Sequence, residues 1–156
     1  MVSPIFDNGG AGLIKAIFLS LGRFGSVCGF TMQLTKRHIL CVDAHEDICF
    51  MLSTLLQGSD YKITTTRRID HALEHARNER FDLFIIGRWF LDGTGLELCQ
   101  KIREFDSGTP IIFYSADANE ADRQEALGAG AQAYLIEGGD ISEIVETVNR
   151  FLSPGK

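Results

Sequence analysis

The chain of 156 residues lacks closely spaced cysteine pairs. Its 4 cysteines, Cys28, Cys41, Cys49 and Cys99, form no CxxC, which argues against a zinc ribbon or a dithiol redox centre and reads as reduced core thiols of a cytoplasmic protein. Proline is scarce, at 3 residues, so no Pro-rich linker divides the chain. Positive charge is also short: 15 Lys plus Arg stand against 21 Asp plus Glu, a net charge of −6. Residues 1–36 carry Lys15, Arg23 and Lys36 against Asp7 alone, so the acid excess belongs to the remainder. An acidic body is a poor polyanion binder, and no nucleic-acid partner is expected. Nor is there an uninterrupted apolar run of the about 20 residues a bilayer requires. The nearest candidate, residues 11–30, is broken by Lys15, Arg23 and several glycines, and neither the preceding charge nor the cleavage site expected of a signal peptide is clear.

What is present is ordinary globular material. Hydrophobic residues make up 45% and charged ones 23%, and a chain of this length buries roughly 70% of its unfolded surface, enough for one core without staples. Residues 1–36 read as a poorly ordered or weakly helical extension, with Met32 as an alternative start. Residues 37–152 read as one domain and residues 153–156 as a tail.

From Arg37 the pattern is regular. Residues 39–42 are a continuous apolar run, the mark of a strand covered on both faces. Ile48, Met51, Leu52, Leu55 and Leu56 then recur at helical spacing up to Gly58. Residues 61–66 alternate and are rich in threonine, giving a second strand; Ile69, Ala72, Leu73 and Ala76 give a second helix. Residues 81–86 are a third strand, Asp92-Gly93 a turn, and Leu98, Cys99 and Ile102 one face of a third helix. A fourth strand over 110–114, a polar helix over 119–127 and a fifth strand over 134–136 follow. Asp140 with Glu143 has the spacing of a capping box for a last helix whose core face is Ile141, Ile144, Val145, Val148 and Leu152. Five strands alternating with five helices imply an α/β fold, a doubly wound parallel sheet whose ligand crevice lies beyond the carboxyl ends of the strands.

Four segments, HILCVDAHED, FDLFIIGRWFLDGTGLELCQKIR, TPIIFYSA and GAGAQAYLIEGGD, fall in the order and spacing of a bacterial response-regulator receiver domain, which residues 37–152 resemble. The resemblance implies a flavodoxin-like (βα)5 sheet of strand order 2-1-3-4-5 and a role in two-component (phosphorelay) signalling. It also implies an aspartate phosphoacceptor five residues beyond Asp82, and that position is Gly87. The adjacent acid pair that holds magnesium in the family is Asp43 and Ala44 here; the lysine and proline after the fifth strand are Glu137 and Gly138. Ser115 matches the hydroxyl residue after the fourth strand, and Tyr134 the aromatic that swings between inward and outward rotamers.

A pocket with one of three carboxylates, no acceptor and an acid in place of the lysine repels the anion it would have to bind. Magnesium binding is therefore expected to be weak or absent, and no cofactor is expected. The resulting expectation is a non-enzymatic, phosphorylation-independent pseudo-receiver. Its partners would be a histidine kinase, a downstream regulator or a second copy, met through the fourth helix, fifth strand and fifth helix. Arg88 either balances the pocket by pairing with Glu137 or Asp43, or points to solvent. Asp92 is an alternative phosphoacceptor, and a small flavodoxin-like ligand carrier an alternative class, although the acids of residues 43–47 would repel a bound phosphate. His71 and His75 with Glu74 match the HxxEH zinc pattern, but Ile69, Leu73 and Ala76 claim the buried face of that helix.

Overall fold

The apolar run after Arg37 forms β1 (Arg37–Val42), buried from His38 onward. The computed structural model describes residues 36–57 and 61–153. The readings made for Cys28, for Met32 and for the extension up to residue 35 lie outside the described residues, as does the tail beyond Ser153. After β1 come α1 (Glu46–Gln57), β2 (Tyr61–Thr66), α2 (Ile69–Asn78) and β3 (Leu83–Ile86). A small hairpin, β4 (Trp89–Phe90) with β5 (Gly93–Thr94), precedes α3 (Gly95–Arg103). The remaining elements are β6 (Ile111–Ser115), α4 (Glu120–Gly128), β7 (Ala133–Ile136) and α5 (Ile141–Leu152).

Five strands pair in the order β2-β1-β3-β6-β7, every pair parallel. This is the flavodoxin-like α/β sheet that the sequence implies, with β6 and β7 as its fourth and fifth strands. Alternation along each strand separates two cores. Leu40, Val42, Phe84, Ile86 and Phe113 pack on one side with Ile69, Leu98, Ile102 and Ala126 of α2, α3 and α4. Ile39, Cys41, Ile85 and Ile112 pack on the other with Leu52 and Leu56 of α1 and Ile144 and Val148 of α5. Cys41, Cys49 and Cys99 are buried free thiols, and burial raises the pKa of each. Among the described residues no helix is long and apolar enough to cross a membrane.

Four local expectations need correction. The third strand begins at Leu83, because Phe81 turns into the core beside His38 while Asp82 bonds the His38 carbonyl from outside the ladder. The turn read at Asp92-Gly93 sits one residue earlier, at Leu91-Asp92, and closes a hairpin whose strands have two residues each, too short to show any period. Asp140 does cap α5, but its carboxylate accepts from Ser142 N at 2.9 Å and no reciprocal bond from Glu143 completes a box. Ile141 is 50% exposed; at the first position of α5 it lies before the stripe that Ile144, Val148 and Leu152 press onto the sheet.

His38 marks the amino-terminal end of the sheet. Its Nε2 is 2.8 Å from Thr64 Oγ1, its ring packs on Phe81 at 4.2 Å, and it is 8% exposed. Burial and then the Lys62 charge lower its pKa, against weaker opposing pulls from Glu79 and Asp82. A folded-state pKa below the unfolded value of about 6.5 means that the unfolded chain takes up the proton first as pH falls. The contribution of neutral His38 is thus complete above that value and is lost below it. Urea unfolding of the full chain at pH 7.5 and at a pH below 6 is expected to show a loss that His38→Gln reduces; equal pH dependence in the two proteins would contradict this assignment.

Candidate functional site

The backbone ladder runs one step past the strands on this edge. Asp43 N donates to Thr66 O at 3.2 Å, Gly87 N to Val42 O at 2.8 Å and Glu137 N to Ser115 O at 2.8 Å, so the residues after β1, β3 and β7 line one crevice. Asp43 is 7% exposed. A Cβ placed on Gly87 would overlap Asp43 Oδ2 and come within 3.0 Å of its Cγ, so the carboxylate fills the space where a side chain from position 87 would start. The other oxygen, Oδ1, accepts from His45 N at 2.8 Å and lies 3.1 Å from His45 Nδ1. The Asp43 carboxylate thus closes the loop into α1 as an Asx turn.

The other residues singled out by the sequence are close by but engaged locally. Ala44 is half-buried and offers no ligand atom. Ser115 is 6% exposed, and its Oγ accepts from Asp117 N at 3.2 Å. Glu137 borders a cleft of about 300 Å³ with Ile48, Met51, Tyr114 and Ile141. Burial, and after it the Glu137 charge, push the Tyr114 phenol up, a local sign of the negative potential that a carboxylate gives this cleft. Gly138 has φ of 80°, which a proline ring, fixed near −65°, cannot adopt, so the backbone here departs from a chain carrying proline at that place.

Arg88 follows neither of the two courses expected for it. Its side chain is 10% exposed, and Nη2 donates to Asp122 Oδ1 at 2.6 Å and to Glu125 Oε2 at 3.3 Å. Neither Asp43 nor Glu137 is its partner; β3 ends with the side chain directed toward α4, where those acids lie 34 and 37 residues further along the chain. Trp89, two residues past Gly87, is 59% exposed and donates Nε1 to Asp117 Oδ2 at 2.8 Å. Tyr134 is 8% exposed, is stacked on Phe113 at 6.0 Å, and donates its hydroxyl to Asp117 O at 2.8 Å, the inward placement. Asp92 Oδ2 accepts from Ile69 N at 3.0 Å and, weakly, from Asp70 N at 3.5 Å, so it caps the amino end of α2.

Sequence reasoning passed over Asp117, which ties this loop together, and Asp122 and Glu125, noted only as part of a polar helix. The local signal within reach was Asn119 three residues before Asp122, an amino-terminal cap whose Oδ1 accepts from Asp122 N at 3.1 Å.

Magnesium requires near-octahedral oxygen ligation from one or two carboxylates together with phosphate oxygens and water. Here Asp43 is the one carboxylate beside Ala44 and Gly87, with an oxygen already committed to His45, and this set does not fit the ion. Among the described residues no three His, Cys, Asp or Glu side chains gather as a metal-holding group. His75 Nδ1 is instead 2.9 Å from Glu79 Oε1, and His71 is exposed.

Comparison with known proteins bears on the fold and the family. Residues 39–149 match the response regulator receiver domain family. The chain is 31% identical over 110 residues to the nisin biosynthesis regulatory protein NisR of Lactococcus lactis subsp. lactis, covering 70% of this chain and 48% of that one. It is 30% identical over 114 residues to the response regulator ArlR of Staphylococcus aureus, covering 73% and 52%. The solved chemotaxis protein CheY4 of Vibrio cholerae superposes with a TM-score of 0.68 at 27% identity, over 75% of this chain and 99% of that one. The chain thus spans about half the length of the curated relatives it matches. With its sheet order and its matched span in accord, the chain belongs to the response regulator receiver domain family.

Proposed function

We propose that this receiver domain works without the phosphoryl switch, as a non-enzymatic protein-interaction module of two-component signalling in the cytoplasm. The observation that carries the reading is the Asp43 carboxylate lying over Gly87. The position assigned to the acceptor has no nucleophile, and the room for one is taken. Phosphoryl transfer depends on positioned cations that offset the spreading negative charge. Glu137 stands where the family places its lysine, Ala44 removes half of the acid pair, and the Ser115 hydroxyl is bonded to its own loop. Gly87, Asp43, Ala44, Ser115 and Glu137 are thus remnants of a phosphorylation pocket. The surface offered to partners, a kinase, a downstream regulator or a second copy, is the face of α4, β7 and α5 around Tyr134. Asp92 makes a poor substitute acceptor, because its carboxylate is already engaged in capping α2.

Incubation of the full chain with radiolabelled acetyl phosphate and magnesium, with Trp89 emission followed in parallel, is expected to leave no stable label and no saturable quenching. Stable label on this polypeptide, including label mapped to Asp92, would overturn the proposal.

A further inference from the structure

A face that phosphate does not set must be set by something else. We infer that Arg88 is a built-in clamp that fixes the first turn of α4 and the inward position of Tyr134. The clamp starts at the crevice: Arg88 is the residue after Gly87, and its carbonyl accepts from Gly95 N at 2.7 Å, anchoring the backbone from which the side chain leaves. The guanidinium passes over the Trp89 ring at 5.1 Å and reaches Asp122 and Glu125 on successive turns of α4. Its Nε also lies 3.7 Å from Asp117 Oδ2, the oxygen that accepts from Trp89.

Asp117 is the junction. Its N–H is held by Ser115, its carboxylate by Trp89 and the Arg88 charge, and its carbonyl by the Tyr134 hydroxyl. A shift of Arg88 therefore moves the acceptor of the tyrosine bond. Electrostatics make the link strong in one direction only: Asp117, Asp122 and Glu125 surround one cation, so its removal leaves three like charges at the start of α4 with Asp122 largely buried. Two buried donors of the same side chain, Nε and Nη1, have no hydrogen-bond partner among the described residues, where Arg88 is held by charge and packing rather than by a full set of bonds. Such a group can be released by competition for Asp122 and Glu125, and a cationic segment of a partner has the chemistry to compete.

This inference rests on the reading that no phosphoryl group sets the face, yet its failure is separable, because the acetyl phosphate experiment does not involve Arg88 in the unaltered chain. The test is amide hydrogen exchange on Arg88→Met, with nitration of Tyr134 by tetranitromethane as a second readout. Exchange over residues 117–128 is expected to rise by about tenfold or more, since hydrogen bonds to charged groups are worth that factor, with α2 and α5 unchanged and Tyr134 nitrated faster. Arg88→Lys, which keeps the charge and loses the fork, should fall between the two. Unchanged exchange over residues 117–128, or a rise shared by every element, would overturn the clamp. If Arg88→Met does not fold, Asp122→Asn read in the same way decides the matter: a local rise supports the clamp and no rise removes it.

Discussion

Gly87→Ala is expected to lower the unfolding free energy by about 1–3 kcal/mol, a large cost for one methyl group added beside an open crevice. The new Cβ would meet Asp43 Oδ2, with Val42 O 3.5 Å away on the other side. Asp43 can yield only by turning its carboxylate, which takes Oδ1 from His45 N and leaves a mostly buried carboxylate without its donor. Gly87→Asp adds a like charge to the same overlap and should cost more at neutral pH. With two carboxylates in contact, one folded-state pKa rises above its unfolded value, so the folded variant binds protons first and its deficit shrinks as pH falls through the raised pKa. Millimolar magnesium should stabilise Gly87→Asp, whose paired carboxylates can share the ion, and leave the unaltered chain where it was. Restored acid or not, Glu137 still opposes an incoming phosphate, so acetyl phosphate should not label the variant. Urea unfolding with and without magnesium reads all of this. A Gly87→Asp protein as stable as its parent would show that Asp43 swings aside freely and that its hold on position 87 has no energetic weight.

Much of the architecture is legible because burial on both faces leaves continuous apolar runs. Residues 39–42 and 83–86 are such runs, and both are fully buried central strands. The α5 stripe was equally plain at Ile144, Val148 and Leu152, since a helical period survives wherever a helix lies flat on a sheet. Ile141 misled because periodicity cannot tell the first residue of a helix, which projects past the sheet edge, from one a turn later. The capping box at Thr94 and Glu97 was within reach of the same rule applied to Asp140, for the signature is local: Glu97 N to Thr94 Oγ1 at 3.2 Å and Thr94 N to Glu97 Oε2 at 3.0 Å.

At the site, the identities of the residues are legible in the sequence and their partners are not. The glycine at 87, the alanine at 44 and the acid at 137 are identities, readable by position. The placement of Asp43 over Gly87, the reach of Arg88 to α4 and the capping of α2 by Asp92 join residues 22 to 44 positions apart. Long-range ion pairs leave no period and no local motif, so only the folded geometry shows that Arg88, next to Gly87, pairs with α4 rather than with Asp43 or Glu137.

Gly95→Ala is expected to be the most damaging methyl group that can be added near the crevice, costing about 3 kcal/mol or more out of the 5–15 kcal/mol typical of a domain. Its Cβ would overlap the Gly87 carbonyl oxygen and lie 3.1 Å from both Ile86 Cγ2 and Phe113 Cε1. The difference from position 87 lies in what must move. Asp43 is the end of a side chain, whereas the Gly87 carbonyl is backbone held between Val42 O, through its own N–H, and the hairpin that leads back to Gly95 N. Ile86 and Phe113 are fully buried and have no room to retreat. Relief can come only by lifting the first turn of α3 from the sheet, which strains the Gly95 N to Arg88 O bond and drags the hairpin bearing Trp89. The Trp89 emission should therefore shift in whatever fraction folds. Gly128→Ala is the matching control, because none of the described residues lies within 4 Å of its Cβ at the end of α4 and the helix should gain about 0.4–1 kcal/mol from the lost chain entropy. Urea midpoints that place Gly95→Ala beside Gly128→Ala would mean that α3 is not seated against the Gly87 carbonyl, and the floor of the crevice would have to be redrawn.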